Sequence, residues 1–365
     1  MMIKNNELYI YYGDEPGSMA KKILGQIRIE EEINTADLIG IKPNLVVASK
    51  AEEGATTDPE LVAGIIEHLQ DRGYSNIVIL EGSWIGDRTS RAFEVCGYND
   101  LARKYGVKLM DLQRDAAVPV RVNGEEIIVC REALAVDYLI NVPVLKGHCQ
   151  TRITCALKNL KGCIPDSEKR RFHTMGLHRP IAYLNKVLRQ DLVIVDGIYG
   201  DLDFEEGGNP VQMNRIIVGK DPVLVDSYVA ELLGYEIDDI PYIRIAADLG
   251  IGSADLRQAV IRELNQPRSG GIIKKSARVE RLVRNVVEDQ ACSACFGNLV
   301  HALKRLDEEG DLGRLMEKLY IGQGFKDKEF QGIGIGSCTK GVSKSITGCP
   351  PVATRILKEL KNLIK

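Results

Sequence analysis

Four cysteines crowd into the last quarter of a 365-residue chain. Cys292 and Cys295 sit in "ACSACFG", and Cys338 and Cys349 sit in "GIGIGSCTKGVSKSITGCPPVA". Two thiolates separated by two residues can grip one metal, because the intervening turn brings both sulfurs to the same side of the chain. Four of them in one short region match the ligand number of a cubane iron–sulfur cluster or of a structural zinc. Cluster sulfurs are anionic and accept hydrogen bonds from backbone N–H groups, so Gly334, Gly336 and Gly348 are read as places where the chain comes close or takes positive φ. Pro350 and Pro351 read as the rigid start of a helix carrying Ile356, Leu357, Leu360 and Ile364, which would put Cys349 at a helix N-terminus, a setting that favours a thiolate. Ten residues separate Cys338 from Cys349 and 42 separate Cys295 from Cys338. This is unlike the paired short knuckles of many zinc sites, and spacing alone leaves a [4Fe-4S] cluster and zinc both open.

A second set of polar residues is scattered over more than 150 positions. Lys42 and Asn44 end one predicted strand, Glu81 ends another, Lys146 and His148 follow a third, and Asp196 ends a fourth. In a parallel α/β sheet, ligands bind outside the carboxyl ends of the strands, so these residues are expected to converge on one pocket. Lys158, Asn159 and Lys161 in "ALKNLKG", followed by Arg170, Arg171 and His173, add groups able to hold a carboxylate or phosphate by charge-assisted hydrogen bonds. Lys146, His148 and Lys42 are the candidates for chemistry, with His148 read as an acid or base near neutral pH. Asn44, Glu81, Lys158, Asn159, His173 and Asp196 are the candidates for binding an anionic small molecule. Each also has a plainer reading as a strand-end or packing residue. Cys149, Cys155 and Cys163 lie beside His148 at spacings that match no common metal knuckle and read as packing residues.

The elements that must position these groups follow from periodicity. "LIGIKPN", "NIVILEG", "DYLINVPV" and "DLVIVDG" are nearly continuous apolar runs, as strands covered on both faces require. "DPELVAGIIEHLQDRG" reads as a crossover helix, with Asp58 as cap, Pro59 in the first turn, Leu61, Ile65 and Leu69 on one face, and Gly73 as stop. "DPVLVDSYVAELLG" repeats this grammar with Asp221, Pro222 and Gly234. Asn123-Gly124 between β-rich flanks predicts a type I′ hairpin in the sheet or on its edge. The predicted fold is α/β, a mostly parallel sheet with crossover helices over residues 1–270, followed by a smaller, mainly helical cysteine module over 271–365. "NQPRSGGIIKKS" is the predicted linker. Val279, Leu282, Val283, Val286 and Val287 predict an amphipathic helix leading into Cys292.

Composition sets the bounds. The formal net charge of −3 gives no global attraction to nucleic acid, and no apolar run approaches the roughly 18 residues that suggest a membrane span. The first residues lack a basic stretch leading into an apolar one, so a cytoplasmic protein without nucleic-acid or membrane partners is expected. Nine cysteines in a chain of this size point to thiols or thiolate ligands rather than a disulfide framework.

Taken together, "IKPN", "TTDPEL", "LINVPVLKGH", "ALKNLKG", "VDG", "GGNP" and "KDPVLVD" resemble the DUF362 family over roughly Ile39 to Gly234. Members often carry iron–sulfur modules, so the resemblance implies an α/β domain and favours iron over zinc; it names no substrate. The bacterial ferredoxin run CxxCxxCxxxCP is missing, so a two-cluster arrangement is not implied. The CxxC…C…C order ending in Gly-Cys-Pro-Pro is similar to the ligand pattern of the cluster nearest the active site in nickel-iron hydrogenase small subunits and related complex I subunits. The expected function is an iron–sulfur redox protein whose α/β domain binds an anionic small molecule and which exchanges electrons with a partner protein. Two other readings are a non-redox binding protein with a structural metal, and an acid/base enzyme using Lys146 and His148.

Overall fold

The computed structural model describes residues 2–267, 278–291 and 293–364. It divides into two compact units, Met1–Lys169 with Leu177–Lys275, and Arg170–Gly176 with Ser276–Lys365. Most of the predicted linker, residues 268–276, lies outside the described residues, as does Cys292.

The strands of the first unit are, in chain order, β1 (Glu7–Tyr12), β2 (Ile39–Pro43), β3 (Ile77–Glu81), β4 (Lys108–Asp111), β5 (Ala117–Val122), β6 (Glu125–Cys130), β7 (Tyr138–Val142), β8 (Lys146–His148), β9 (Arg152–Thr154), β10 (Leu192–Asp201), β11 (Pro210–Gly219) and β12 (Val260–Glu263). Eight of them form one sheet in the order β12-β1-β11-β10-β7-β2-β3-β4. β10, β7, β2, β3 and β4 run parallel, and so do β1 and β12; β11 alone is reversed, pairing antiparallel with both β1 and β10. Every residue of β2, β3 and β7 is buried, which is why these segments are apolar without alternation. Fully burying an Ile such as Ile41, Ile79 or Ile140 contributes roughly 1.5–3 kcal/mol each.

Helices cover the faces as the sequence predicts. In Pro59–Gln70 the Asp58 side chain accepts from the Glu60 N–H, and in Pro222–Leu232 the Asp221 carboxylate accepts from Val223 N and Leu224 N at 2.8 and 3.0 Å. Asp221 also accepts from Ser253 N at 2.7 Å, so one carboxylate closes a helix end and pins the 250s loop.

Four expectations are corrected. The Asn123-Gly124 turn forms, with φ of 48° and 82°, but β5 and β6 make a separate two-stranded ladder rather than joining the main sheet. The strand ending at Asp196 runs on to Asp201, because its far half pairs with β11. Asp196 is therefore mid-strand.

In the second unit, β13 (Val286–Glu288), β14 (Leu319–Ile321), β15 (Phe330–Ile335) and β16 (Val342–Ile346) form a parallel sheet with the helices Ser293–Glu308 and Ala353–Leu363. The third and fourth corrections lie here. The helix predicted over Val279–Val287 stops at Leu282, and Val286 and Val287 pair with Leu319 and Tyr320. A β-branched pair satisfies the strand as readily as the helical stripe, and the available partner strand decides. The last helix begins at Ala353, so Cys349 precedes it by a Pro-Pro-Val stretch and does not sit on its N-terminus.

Asp221→Ala should lower unfolding stability by about 1–2 kcal/mol, the upper end of a lost helix cap, because the Ser253 N–H is orphaned too. Urea-unfolding midpoints of the two proteins measure this, and an unchanged midpoint would refute the role.

Candidate functional site

At the carboxyl end of β2, Lys42 is almost wholly buried and its ammonium reaches both oxygens of Glu81, at 2.8 and 2.9 Å, and the Pro43 carbonyl at 2.7 Å. Glu81, at the end of β3, also accepts from Leu45 N and Gly82 N at 2.8 and 2.7 Å. The pair is thus closed on itself, and no ammonium proton of Lys42 is left over. Gly162 lies against it: a Cβ at that position would stand 2.2 Å from Glu81 Oε1 and 2.7 Å from Lys42 Nζ, so only glycine fits.

Lys146, in β8, is fully buried and donates to Asn44 Oδ1 at 3.1 Å and to the carbonyls of Ala55 and Glu205 at 2.5 and 2.9 Å. Asn44 passes its own Nδ2–H to Asn159 Oδ1 at 2.9 Å, and Asn159 passes one to Asn141 Oδ1 at 2.7 Å. Asn141 donates in turn to Gln190, and Gln190 to Asn185. Burial pushes Lys146 down to about 8, with Glu205 pulling the other way.

Lys158 and Asn159 lie on the short helical turn Ala156–Asn159, whose first two N–H groups are held by the Asp226 carboxylate at 2.7 and 3.2 Å. Lys158 reaches Glu205 Oε1 at 2.5 Å and Thr154 Oγ1 at 3.2 Å. The other oxygen of Glu205 is 2.9 Å from His148 Nε2. His148 Nδ1 accepts from the Gln150 and Thr151 N–H groups, both at 3.0 Å, so the ring carries its proton on Nε2. Burial, then the Lys158 charge, push His148 down to about 4. Burial alone would raise Glu205, but Lys158 and His148 hold it well below the usual carboxylate range. The ring is therefore neutral near pH 7, a fixed donor to a carboxylate rather than a group poised to exchange protons.

The structure thus brings Lys42, Asn44, Glu81, Lys146, His148, Lys158 and Asn159 into one hydrogen-bonded region. The Asp196 carboxylate has partners of its own, accepting from Asp58 N at 2.8 Å and Ile198 N at 3.0 Å, with its pKa raised to about 7 by burial and the Asp58 charge. His173 lies on the helix Asp166–Thr174, in the stretch assigned to the second unit. Sequence reasoning missed Glu205 and its neighbour Glu206, which sit in the β10–β11 connection. The signal was available: the acidic pair directly precedes the "GGNP" segment. Cys155 and Cys163 are buried thiols, Cys155 pushed well above its ordinary value and Cys163 up to about 12, as packing residues are.

In the second unit, Cys295 follows β13, Cys338 follows β15 and Cys349 follows β16. Gly336 takes φ of 94°, and a Cβ there would stand 3.9 Å from Cys295 Sγ and 3.7 Å from the Gly348 carbonyl. Among the described residues, no three His, Cys, Asp or Glu side chains form a group able to hold a metal ion. Nor is any helix among them long and apolar enough to cross a membrane.

Residues 39–231 match the domain of unknown function DUF362, more than half of the chain, and the protein belongs to that family. It is similar to the thylakoid-associated protein sll1697 of Synechocystis sp., 24% identical over 237 residues that span 60% of this chain and 70% of that one. Among solved structures, the lactate racemase apoprotein of Thermoanaerobacterium thermosaccharolyticum aligns with a TM-score of 0.41 and 12% identity over 62% of this chain and 56% of that chain.

Breaking the closed ion pair should be severe. Lys42→Met is expected to lower stability by about 3–5 kcal/mol by leaving Glu81 buried and unpaired, while Lys42→Met with Glu81→Leu recovers only part of the loss, because the Leu45 and Gly82 N–H groups then lose their acceptor. Urea unfolding of both variants tests this, and a mild Lys42→Met would show that water already reaches the pair.

Proposed function

We propose that the protein is a two-part redox protein in which the first unit binds an anionic small molecule and the second holds a [4Fe-4S] cluster through Cys292, Cys295, Cys338 and Cys349. The observation that carries the cluster is topological. Cys295, Cys338 and Cys349 each follow the carboxyl end of a strand in one parallel sheet, so three segments spread over 54 positions leave the sheet at the same end. Gly336, whose φ of 94° suits glycine, supports this by placing the backbone two residues before Cys338 in van der Waals reach of the Cys295 sulfur. When bound, such a cluster supplies one-electron chemistry, and that reading carries with it an electron-transfer partner protein.

Binding of an anion rests on charge. Lys146, Lys158 and Lys161 gather around the single well-ionised carboxylate of Glu205. Glu206 nearby has its pKa raised by burial and by the Glu205 charge. Lys158 is the anchoring cation, and His148, neutral and fixed, takes the other oxygen of the Glu205 carboxylate that Lys158 pairs with.

Protein purified without oxygen should be brown, contain iron and sulfide, and lose its broad visible band on Cys→Ala substitution at any of the four positions. Stoichiometric zinc without iron would sink the cluster and leave a structural metal site. For the anion, Lys158→Gln should weaken phosphate binding by about 1.5–3 kcal/mol, roughly ten- to a hundredfold, in titration calorimetry; equal affinity in the two proteins would remove Lys158 from the site.

A further inference from the structure

Five lysines stand at this end of the sheet, and four of them are tied. Lys42 is closed on Glu81, Lys146 donates to three neutral oxygens, and Lys158 is shared between Thr154 and Glu205. Lys169 donates to the carbonyls of Gly82 and Ser83, at 3.2 and 2.7 Å, and to Asp166 at 3.0 Å. Lys161 differs. It is half-buried in the 3-10 turn Leu160–Cys163, and its ammonium has no hydrogen bond or ion pair among the described residues. The turn itself is not free to drift, because Gly162 is seated on the Lys42–Glu81 pair.

The charged and titratable groups whose fields act on Lys161 come from four elements. They are Lys158 on the preceding turn, Glu205 in the β10–β11 connection, Lys169 on the helix Asp166–Thr174 and His148 on β8. Two are cations and one is a neutral ring, against a single carboxylate already engaged by Lys158 and His148. An amine so placed has little to hold its proton and a cationic neighbour to orient an anion beside it.

We propose that Lys161 is a nucleophilic amine that condenses reversibly with the carbonyl group of a small anionic aldehyde or ketone held by Lys158. The inference rests on the anion-binding reading of this site. In the step, the Nζ lone pair attacks the carbonyl carbon and a C–N bond forms. The carbonyl oxygen then leaves as water, taking both amine protons with it, and a C=N bond remains; no electrons are exchanged with any other group. Burial, reinforced by Lys158, pushes the Lys161 amine down to about 7, so a large share of it is unprotonated at neutral pH, the state the attack requires.

Pyridoxal phosphate, which carries an aldehyde and a phosphate on one small molecule, is the probe. The intact protein is treated with it, reduced with borohydride and mapped by peptide mass. One equivalent should appear on the peptide containing Lys161, at a rate at neutral pH roughly tenfold or more above that of exposed lysines. That rate should level off above about pH 8, while exposed lysines continue to gain toward their ordinary pKa near 10.4. Inorganic phosphate should slow the reaction, and pyridoxal without its phosphate should react more slowly. Lys161→Met should lose the fast phase with an unchanged circular dichroism spectrum; should that variant not fold, the peptide map of the unaltered protein decides alone. Labelling confined to exposed lysines, with phosphate still bound in calorimetry, would overturn the nucleophile and keep the anion site. Equal labelling of Lys161 by both aldehydes, without phosphate protection, would keep the nucleophile and overturn the anion site. Neither labelling of Lys161 nor phosphate binding would overturn both.

Discussion

An ammonium group has protons to give and no lone pair to receive with, and that one-sidedness organises the centre of the first unit. Lys146 is buried and can only donate, so Asn44 must turn its oxygen toward it. Asn44 then has only its NH2 to offer onward, which fixes Asn159, and Asn159 fixes Asn141. The order continues through Gln190 to Asn185, which ends on the backbone carbonyls of Leu157 and Ile181. β2, β7, the Ala156–Asn159 turn and the helix His178–Val187 are therefore bound into one directed chain. A buried amide left without its partner costs about 1–3 kcal/mol, so a break anywhere is felt at both neighbours.

The same accounting of protons separates residues that are alike in composition. Lys42, Lys146, Lys158 and Lys161 all occupy the carboxyl end of the sheet, but the number of acceptors around each differs. Three acceptors make Lys42 a structural rivet between β2 and β3. Neutral oxygens alone make Lys146 the origin of the amide chain. Lys158 shares a carboxylate with a neutral imidazole, and Lys161 has no fixed partner among the described residues.

Much of this architecture was readable because its causes are local. Aspartate before proline sets the start of two helices, an unbroken apolar run marks a strand covered on both faces, and Asn-Gly marks a tight turn. The convergence of Lys42, Asn44, Glu81, Lys146 and His148 followed from a single rule about parallel sheets, whereas the Asp196 carboxylate, expected with them, is bound by the Asp58 and Ile198 N–H groups. What was not readable depends on partners remote in sequence. Nothing within Val279–Val287 says that Leu319–Ile321 will offer it an edge, and nothing near Asp196 says that β11 will prolong its strand. Glu205 reaches His148 and Lys158 from 57 and 47 positions away, a pairing that one sequence does not display.

The directed amide chain has an electrical side. Each of the five side-chain amides, Asn44, Asn159, Asn141, Gln190 and Asn185, points its oxygen back along the chain toward Lys146 and its NH2 away. Their dipoles therefore add head to tail, and Lys146 occupies the negative end of the row. This is the side-chain counterpart of a cation at the C-terminus of a helix. It adds to the carboxylate charges of Glu205, Glu206 and Asp201 in favouring the ammonium form of Lys146, which has no carboxylate within ion-pair distance among the described residues.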